Sequence, residues 1–75
     1  MLSRLKALRQ EKGLTVRALG AEIGIHPSLI SQFENRRLYC REAHQKTLSE
    51  FYGAPVAGIF ENGFARPCEE VEQRL

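Results

Sequence analysis

Two short helical patterns, separated by a few residues, constrain the fold of this chain more than any other feature. They lie in residues 15–35, which read TVRALGAEIGIHPSLISQFEN. Leu19 and Ile23 are four residues apart and share one face of a first helix, whereas Ile30 and Phe33 are three apart and share one face of a second. The two apolar faces can close on each other, which predicts a pair of helices joined by one tight turn.

The residues that flank these patterns fit helix boundaries. Thr15 is a good N-cap for the first helix, and Gly24 follows its last apolar residue, where a left-handed conformation often ends a helix. Pro27 suits the first turn of the second helix, because its missing N–H would be unpaired there, and it makes His26 the boundary residue. Gly20 lies on the inner side of the first helix, where the second must cross. A plain antiparallel helix pair in a bundle would show the same periodicities, so these signals alone leave both interpretations open.

Similar signals predict three further helices. Ser3 is an N-cap for helix 1, Gly53 ends helix 4, and Pro55 opens a short helix 5. Asn35 is expected to take the left-handed conformation that ends helix 3. The predicted helices cover about residues 3–12, 16–23, 27–34, 42–52 and 55–60. Beyond residue 62 the pattern is weak, and Pro67 either begins another helical turn or lies in a frayed tail.

Separated positions between residues 4 and 60 agree in order with one known family. They are Leu5, Arg9, Gly13, Leu14, Thr15, Leu19, Gly24, Ile30, Ser31, Glu34, Leu48, Ile59 and Phe60. On these residues the chain resembles the phage repressor and Cro family, also called the Xre family of small bacterial transcriptional regulators. The resemblance implies an all-α, five-helix, lambda-repressor-like domain with its helix-turn-helix at helices 2 and 3. Double-stranded DNA is the partner that it implies.

The second helix of the pair has an outer face suited to reading bases. With Ile30 and Phe33 inward, the opposite face holds Ser28, Ser31, Gln32 and Asn35, with Leu29 at its flank. In the family, the first three residues of this helix and one residue a turn later usually read the operator. Carried over, the base-reading positions are Pro27, Ser28, Leu29 and Gln32. Pro27 departs from the polar residue common there and can make no base hydrogen bond.

Phosphate contacts are expected at two other places. The N-terminus of helix 2 offers free N–H groups and the positive end of the helix dipole. Most family members add a Gln side chain at the position of Val16, so Thr15 and Arg17 are expected to compensate. Asn35 matches a family phosphate contact after helix 3, and basic residues extend from it. The predicted phosphate contacts are Thr15, Val16, Arg17, Asn35, Arg36, Arg37 and Arg41.

The charge distribution agrees with a nucleic-acid surface in the N-terminal half. The net charge of the chain is only +2, but residues 1–41 hold eight basic and three acidic residues, whereas residues 42–75 hold three basic and six acidic ones. Basic clustering on one part of a small domain supplies the phosphate attraction on which non-specific DNA binding rests. A mixed, solvated helix face is the simpler explanation for Lys6 and Lys12, but it fits Arg36 and Arg37 less well.

Other residues are predicted to serve the scaffold and the assembly. Arg9 and Glu34 match a pair that links helix 1 to the end of helix 3 in related domains, and we expect a structural ion pair. Residues 1–62 are expected to form the DNA-binding domain, and residues 63–75 a tail and candidate dimerisation segment. A domain this small is not expected to bury every apolar residue near its C-terminus, so Phe64 and Phe60 are predicted at a homodimer interface.

Enzymatic and membrane functions find no support in the composition. Cys40 and His44 lack a second ligand pair for a zinc site, and the chain contains no Asp, so neither a metal nor another cofactor is expected. No apolar run approaches the ~20 residues of a membrane span, and a cytoplasmic, nucleoid-associated protein without room for a sensing domain is expected. The predicted function is a DNA-binding regulator of repressor, controller or antitoxin type, with a toxin or another regulator as a candidate partner. The alternative is a protein-interaction module that keeps the fold but binds DNA weakly.

Overall fold

The computed structural model of this chain describes residues 2–68, and within them the fold is mostly helical. The helices are α1 (Arg4–Glu11), α2 (Val16–Ile23), α3 (Pro27–Glu34), α4 (Glu42–Tyr52) and α5 (Val56–Ile59). Two short strands follow, β1 (Phe60–Glu61) and β2 (Phe64–Ala65). The five helices agree with the predicted ones to within a residue at each end, but Phe60, predicted in helix 5, begins β1, and neither strand was predicted. None of the helices in residues 2–68 has the length and apolar character needed to cross a bilayer.

Local chemistry fixes where α2 and α3 begin and end. The Thr15 hydroxyl accepts a hydrogen bond from the Ala18 N–H at 3.0 Å, and Gly24 ends α2 with a φ of 74°. His26 is the N-cap of α3. A Cβ on Gly20 would lie 2.5 Å from the Ile25 carbonyl oxygen, so only glycine lets the turn pass this close to α2.

The left-handed residue after α3 is Arg36, with a φ of 58°, whereas Asn35 has a φ of −92°. The prediction for Asn35 was therefore wrong by one residue. The Arg36 N–H donates to the Phe33 carbonyl at 3.1 Å and the Arg37 N–H to the Gln32 carbonyl at 2.9 Å. This is the Schellman arrangement, in which the left-handed residue follows the C-cap. Holding a non-glycine residue there costs about 1 to 2 kcal/mol.

Residues 60–65 form an antiparallel hairpin that pairs Phe60 with Ala65 and Glu61 with Phe64. Its two-residue turn consists of Asn62 and Gly63, with φ values of 56° and 84°. Positive φ at both central positions characterises the type I′ turn, for which Asn-Gly is a favoured sequence. The boundary predicted at residue 62 therefore falls inside this turn.

The segment after the hairpin returns to the N-terminus of α1. The Arg4 N–H donates to the Arg66 carbonyl at 2.7 Å, and the Cys68 N–H donates to the Leu2 carbonyl at 2.9 Å. Ser3 and Pro67 form an isolated antiparallel bridge. Residues 63–68 thus belong to the packed domain and not to a tail. The rest of the predicted tail and dimerisation segment, residues 69–75, lies outside the described residues.

Each helix contributes one fully buried aliphatic side chain to a single core. These are Leu5, Leu19, Ile30, Leu48 and Ile59, all with 0% of their surface exposed. The hairpin closes the same core with two further buried side chains, Phe60 and Ala65. Because α5 has only four residues and cannot be stable alone, burial of Ile59 and pairing of the hairpin hold it in place.

Candidate nucleic-acid interface

The outer face of α3 is polar and exposed. Ser28, Gln32 and Asn35 are exposed, while Ile30 and Phe33 on the opposite face are buried. The periodicity of the sequence therefore assigned the two faces correctly. Gln32 has no hydrogen-bond partner for its side chain among residues 2–68, which leaves both its amide donor and its acceptor free.

The other two predicted base-reading residues are half-buried. The ring carbons Cγ and Cδ of Pro27 lie where they would be 3.3 Å from a Cβ on Gly20, so the proline packs on α2. Leu29 packs against the core with part of its side chain exposed. Pro27 and Leu29 thus offer apolar edges beside the polar face, and the structure gives Pro27 a packing role that the sequence analysis did not foresee.

His26 orients Ser28, and sequence reasoning had treated His26 only as a boundary residue. The Nδ1 atom of His26 accepts a hydrogen bond from the Ser28 N–H at 3.1 Å, and it lies 2.9 Å from the Ser28 hydroxyl oxygen. An Nδ1 that accepts from the backbone carries no proton, so the Ser28 hydroxyl acts as a second donor to it. The remaining lone pairs of the hydroxyl are acceptors. Proline at the first helical position was the signal that could have identified His26 as a capping side chain.

The residues predicted at the start of α2 lie in three different environments. Thr15 is exposed but uses its hydroxyl to cap α2, and Arg17 is exposed without an ion pair in the described part of the chain. Val16 is half-buried against the core. Its side chain cannot replace a phosphate-binding glutamine, so Val16 offers only its backbone N–H in the first turn.

Residues 36–41, here called the basic loop, carry three exposed arginines, Arg36, Arg37 and Arg41. Within residues 2–68 the ion pairs are Arg9 with Glu34 and Arg66 with Glu61, so none of these three arginines is paired there. The end of the loop is anchored, because the Cys40 N–H donates to the Gly63 carbonyl and the Gln45 side chain donates to the Cys40 carbonyl, both at 2.7 Å.

Asn35, Arg36 and Arg37 also line an open polar cleft of about 390 Å³ together with Ser3 and Glu34. The side chain of Asn35 reaches the hydroxyl of Ser31 at 3.5 Å, a long contact that leaves most of its hydrogen-bonding capacity available. The structure therefore brings three of the predicted phosphate residues to one place, next to the outer face of α3. Thr15, Val16 and Arg17, at the start of α2, do not line this cleft.

Arg9 and Glu34 join α1 to the end of α3. The Arg9 Nε donates to Glu34 Oε2 at 2.7 Å and Nη2 donates to Oε1 at 3.0 Å, while Nη1 donates to the Leu14 carbonyl at 2.7 Å. The two side chains are only 12% and 3% exposed. The hydrogen bonds to Glu34 raise the pKa of Arg9, against the opposing effect of burial. The pair fixes the end of α3, where the basic loop begins.

Phe60 and Phe64 were predicted at a dimer interface, and the structure separates their roles. Phe60 is 4% exposed and belongs to the core, so it offers almost no surface to a partner, and this part of the prediction was wrong. The reason is that β1 turns the Phe60 side chain inward opposite Ala65. Phe64 is half-buried beside Tyr39, with ring centroids 6.0 Å apart, and stays a candidate.

The other chemically reactive side chains are placed for packing. Cys40 is 1% exposed, and its burial raises the pKa of the thiol to about 11, so it is protonated at neutral pH. His44 is half-buried, with its ring centroid 5.7 Å from that of Phe33. Residues 2–68 contain no group of three or more His, Cys, Asp or Glu side chains arranged to hold a metal ion.

A short helix with a polar outer face packs on the preceding helix across a three-residue turn, and arginines without an ion pair in residues 2–68 follow it. These are the features of a helix-turn-helix domain. The family profile described as "Helix-turn-helix domain" matches residues 2–59, and the chain belongs to this family. Comparison with curated proteins gave no match, and comparison with solved structures gave none either. The family match confirms the prediction of a helix-turn-helix protein. DNA binding is the activity that membership suggests.

Proposed function

We propose that this chain is a sequence-specific regulator of transcription that places α3 in the major groove of duplex DNA. The observation that carries the proposal is the juxtaposition of free hydrogen-bonding groups on α3 with arginines that have no acidic partner in residues 2–68. Gln32 is exposed on α3, and Arg36 and Arg37 follow one turn later. Free hydrogen-bonding groups on a helix read base edges in the major groove, and arginines bind the phosphates.

The two exposed polar side chains of α3 suit different base edges. Gln32 can donate to adenine N7 and accept from adenine N6, and such a bidentate pair contributes about 1 to 3 kcal/mol of discrimination. The Ser28 hydroxyl donates its hydrogen to His26, so only its oxygen lone pairs are left for DNA. As an acceptor it favours the amino group of adenine or cytosine. The apolar edges of Leu29 and Pro27 suit contact with a thymine methyl group.

The proposed phosphate contacts come from two parts of the chain. Arg36 and Arg37, with Asn35 and Arg41, approach one stretch of backbone, whereas Arg17 and the N-terminal N–H groups of α2 approach another. Each arginine that neutralises a phosphate releases counterions and makes affinity fall with salt. These contacts set register and affinity, while sequence preference comes from α3.

We infer a homodimer on a two-fold-related operator, with half-sites about 10 to 10.5 base pairs apart. Phe64 is the candidate interface residue, since it retains exposed surface on the hairpin. A repressor, a controller of restriction-modification genes and an antitoxin all fit such a small regulator. A toxin or a second regulator is the partner protein expected for the last of these.

A protein-interaction module on the same fold is the second candidate. Two departures from the expected DNA-binding pattern favour it: Pro27 packs on α2, and the Val16 side chain lies against the core. Such a module would keep the scaffold residues. Its affinity for DNA would not fall steeply with salt, because it does not contact several phosphates.

Binding to random duplex DNA at increasing salt distinguishes the two candidates. Fluorescence anisotropy of a labelled random duplex should show log affinity falling steeply with log salt, and Arg37→Ala should reduce this slope by about one. Lys46→Ala, which removes an exposed cation of α4 outside the proposed surface, is the matched control and should leave the slope unchanged. No binding, or a flat salt response, would favour the interaction module.

A further inference from the structure

Tyr39 is a large aromatic side chain in the basic loop that the proposed function does not use. It is 55% exposed, although it is one of the larger side chains of the domain. Arg37 precedes it by two residues and Arg41 follows it by two, so cations flank it on both sides along the chain. Tyrosine hydroxyl groups are among the side-chain donors that bind DNA phosphates.

The ring of Tyr39 is held in place by the hairpin. It lies directly over Gly63, where any Cβ would overlap the ring. Its edge meets the ring of Phe64, with centroids 6.0 Å apart and planes inclined by 80°. The neighbouring Cys40 N–H donates to the Gly63 carbonyl, which ties the loop to the same turn. The ring is therefore seated on the hairpin turn, and the remainder of it faces solvent.

Tyr39 also follows closely along the chain after the proposed base-reading helix. The Arg37 N–H donates to the carbonyl of Gln32 at 2.9 Å, so the loop leaves α3 beside this residue. Two residues of extended chain span at most about 7 Å, which limits the distance from the Cα of Arg37 to that of Tyr39. Successive phosphates of one DNA strand advance by about 3.4 Å along the axis. A strand that contacts Arg37 thus offers further phosphates within this reach.

We propose that Tyr39 is a further DNA contact, whose hydroxyl donates a hydrogen bond to a phosphate oxygen next to the groove that α3 enters. The hairpin positions the ring for this bond, and Gly63 is the positioning residue because it leaves space for the ring. This inference rests on the proposed function. Because the hydroxyl is neutral, the contact adds affinity without releasing a counterion, which distinguishes it from the arginine contacts.

Tyr39→Phe tests the contact because it removes only the hydroxyl. Loss of a hydrogen bond to a charged group should lower affinity for random duplex DNA about ten-fold. The slope of log affinity against log salt should stay unchanged, in contrast to Arg37→Ala, which reduces it by about one. Unchanged affinity of Tyr39→Phe overturns the proposal even if Tyr39→Ala binds weakly, because the ring would then only support the loop.

Gly63→Ala tests the positioning role, and Gly53→Ala is its matched control. Both glycines have left-handed φ values, 84° and 65°, so alanine strains the backbone at either position. Only at residue 63 does the new Cβ meet the Tyr39 ring, since Gly53 has no neighbouring atom within 4 Å of its Cβ position. Gly63→Ala should weaken DNA binding about ten-fold and add nothing in the Tyr39→Phe background, while Gly53→Ala should bind as the parent does. Parental affinity of Gly63→Ala overturns this role.

Tyrosine fluorescence supplies a readout that stability does not move. The chain has two tyrosines and no tryptophan, so Tyr52→Phe leaves Tyr39 as the single emitter. Titration with random duplex should change its emission with the same Kd as anisotropy, and constant emission contradicts the proposal. If the parent chain fails to bind DNA, the proposed function fails. If it binds with a steep salt slope but neither Tyr39 emission nor Tyr39→Phe affinity changes, only this inference fails.

Discussion

Removal of the Arg9 guanidinium should leave the buried carboxylate of Glu34 without its ionic partner. In the variant Arg9→Met, Glu34 keeps a side chain that is 3% exposed but loses both hydrogen bonds from the arginine. Breaking a buried ion pair from one side typically costs about 3 to 5 kcal/mol. A chain of 75 residues has about 4 to 11 kcal/mol of total stability, so this loss removes a large share of it.

The reverse substitution should cost less. In Glu34→Met, Arg9 is 12% exposed and keeps its hydrogen bond to the Leu14 carbonyl. The positive charge of Arg9 therefore still has solvent and one acceptor to interact with. In the double variant no charge is stranded, and only the partner of the Leu14 carbonyl is missing. The double variant should therefore lose about 1 kcal/mol, far less than the sum of the single losses.

Urea unfolding followed by circular dichroism measures all three variants. Arg17→Met is the control, because it removes an exposed arginine of α2 and should change the free energy of unfolding by no more than about 0.5 kcal/mol. A loss in Arg9→Met no greater than in this control would refute the reasoning. Additive losses in the double variant would refute it equally, because they would show that the two residues act independently.

Three further predictions concern the packing of α2, the stability of the fold at alkaline pH and the dimer. Gly20→Ala should cost about 1 to 3 kcal/mol, because its Cβ would lie 2.5 Å from the Ile25 carbonyl oxygen, and an unchanged melting temperature would contradict this. Burial raises the pKa of Cys40 to about 11 and that of Tyr52 to about 12, so the unfolded chain ionises first. The stability that the protonated Cys40 and Tyr52 side chains contribute should be complete below about pH 9 and fall between about pH 9 and 12. Urea midpoints that stay constant over that pH range would argue against it. Phe64→Glu should shift light scattering from dimer to folded monomer, and a variant that stays dimeric removes Phe64 from the interface.

The helices were predictable because the signals that begin and end them are local. Thr15 caps α2 through a bond to a residue three positions away, and Gly24 supplies the left-handed end. The strands were not predicted because two residues are too few for an alternating pattern to show. Asn62 and Gly63 did carry a turn signal, but in the sequence they only mark where the helical pattern becomes weak, and no hairpin was predicted there. The error at Asn35 has a similar origin. The conformational preference of Asn predicts the left-handed conformation at residue 35, whereas the hydrogen bonds at the end of α3 place it at Arg36.

The candidate site was predictable only in part, for the same physical reason. Periodicity assigns Gln32 to the outer face of α3, since a helix face repeats with a fixed spacing. It does not show that Pro27 packs on α2. The seating of Tyr39 on Gly63 joins residues 24 positions apart and depends on a hairpin that the pattern did not predict. Contacts of this kind arise from packing between elements, which local sequence signals do not encode.

Selection of bound sites from a random duplex pool, followed by measurement of Gln32→Ala on the selected site, tests the central claim most directly. The parent chain should enrich a site with two related halves. Gln32→Ala should lose about 1 to 3 kcal/mol on that site and relax preference at one base pair in each half, with random-DNA affinity nearly unchanged. Failure to enrich any site, or equal losses of Gln32→Ala on selected and random DNA, would contradict base reading by α3.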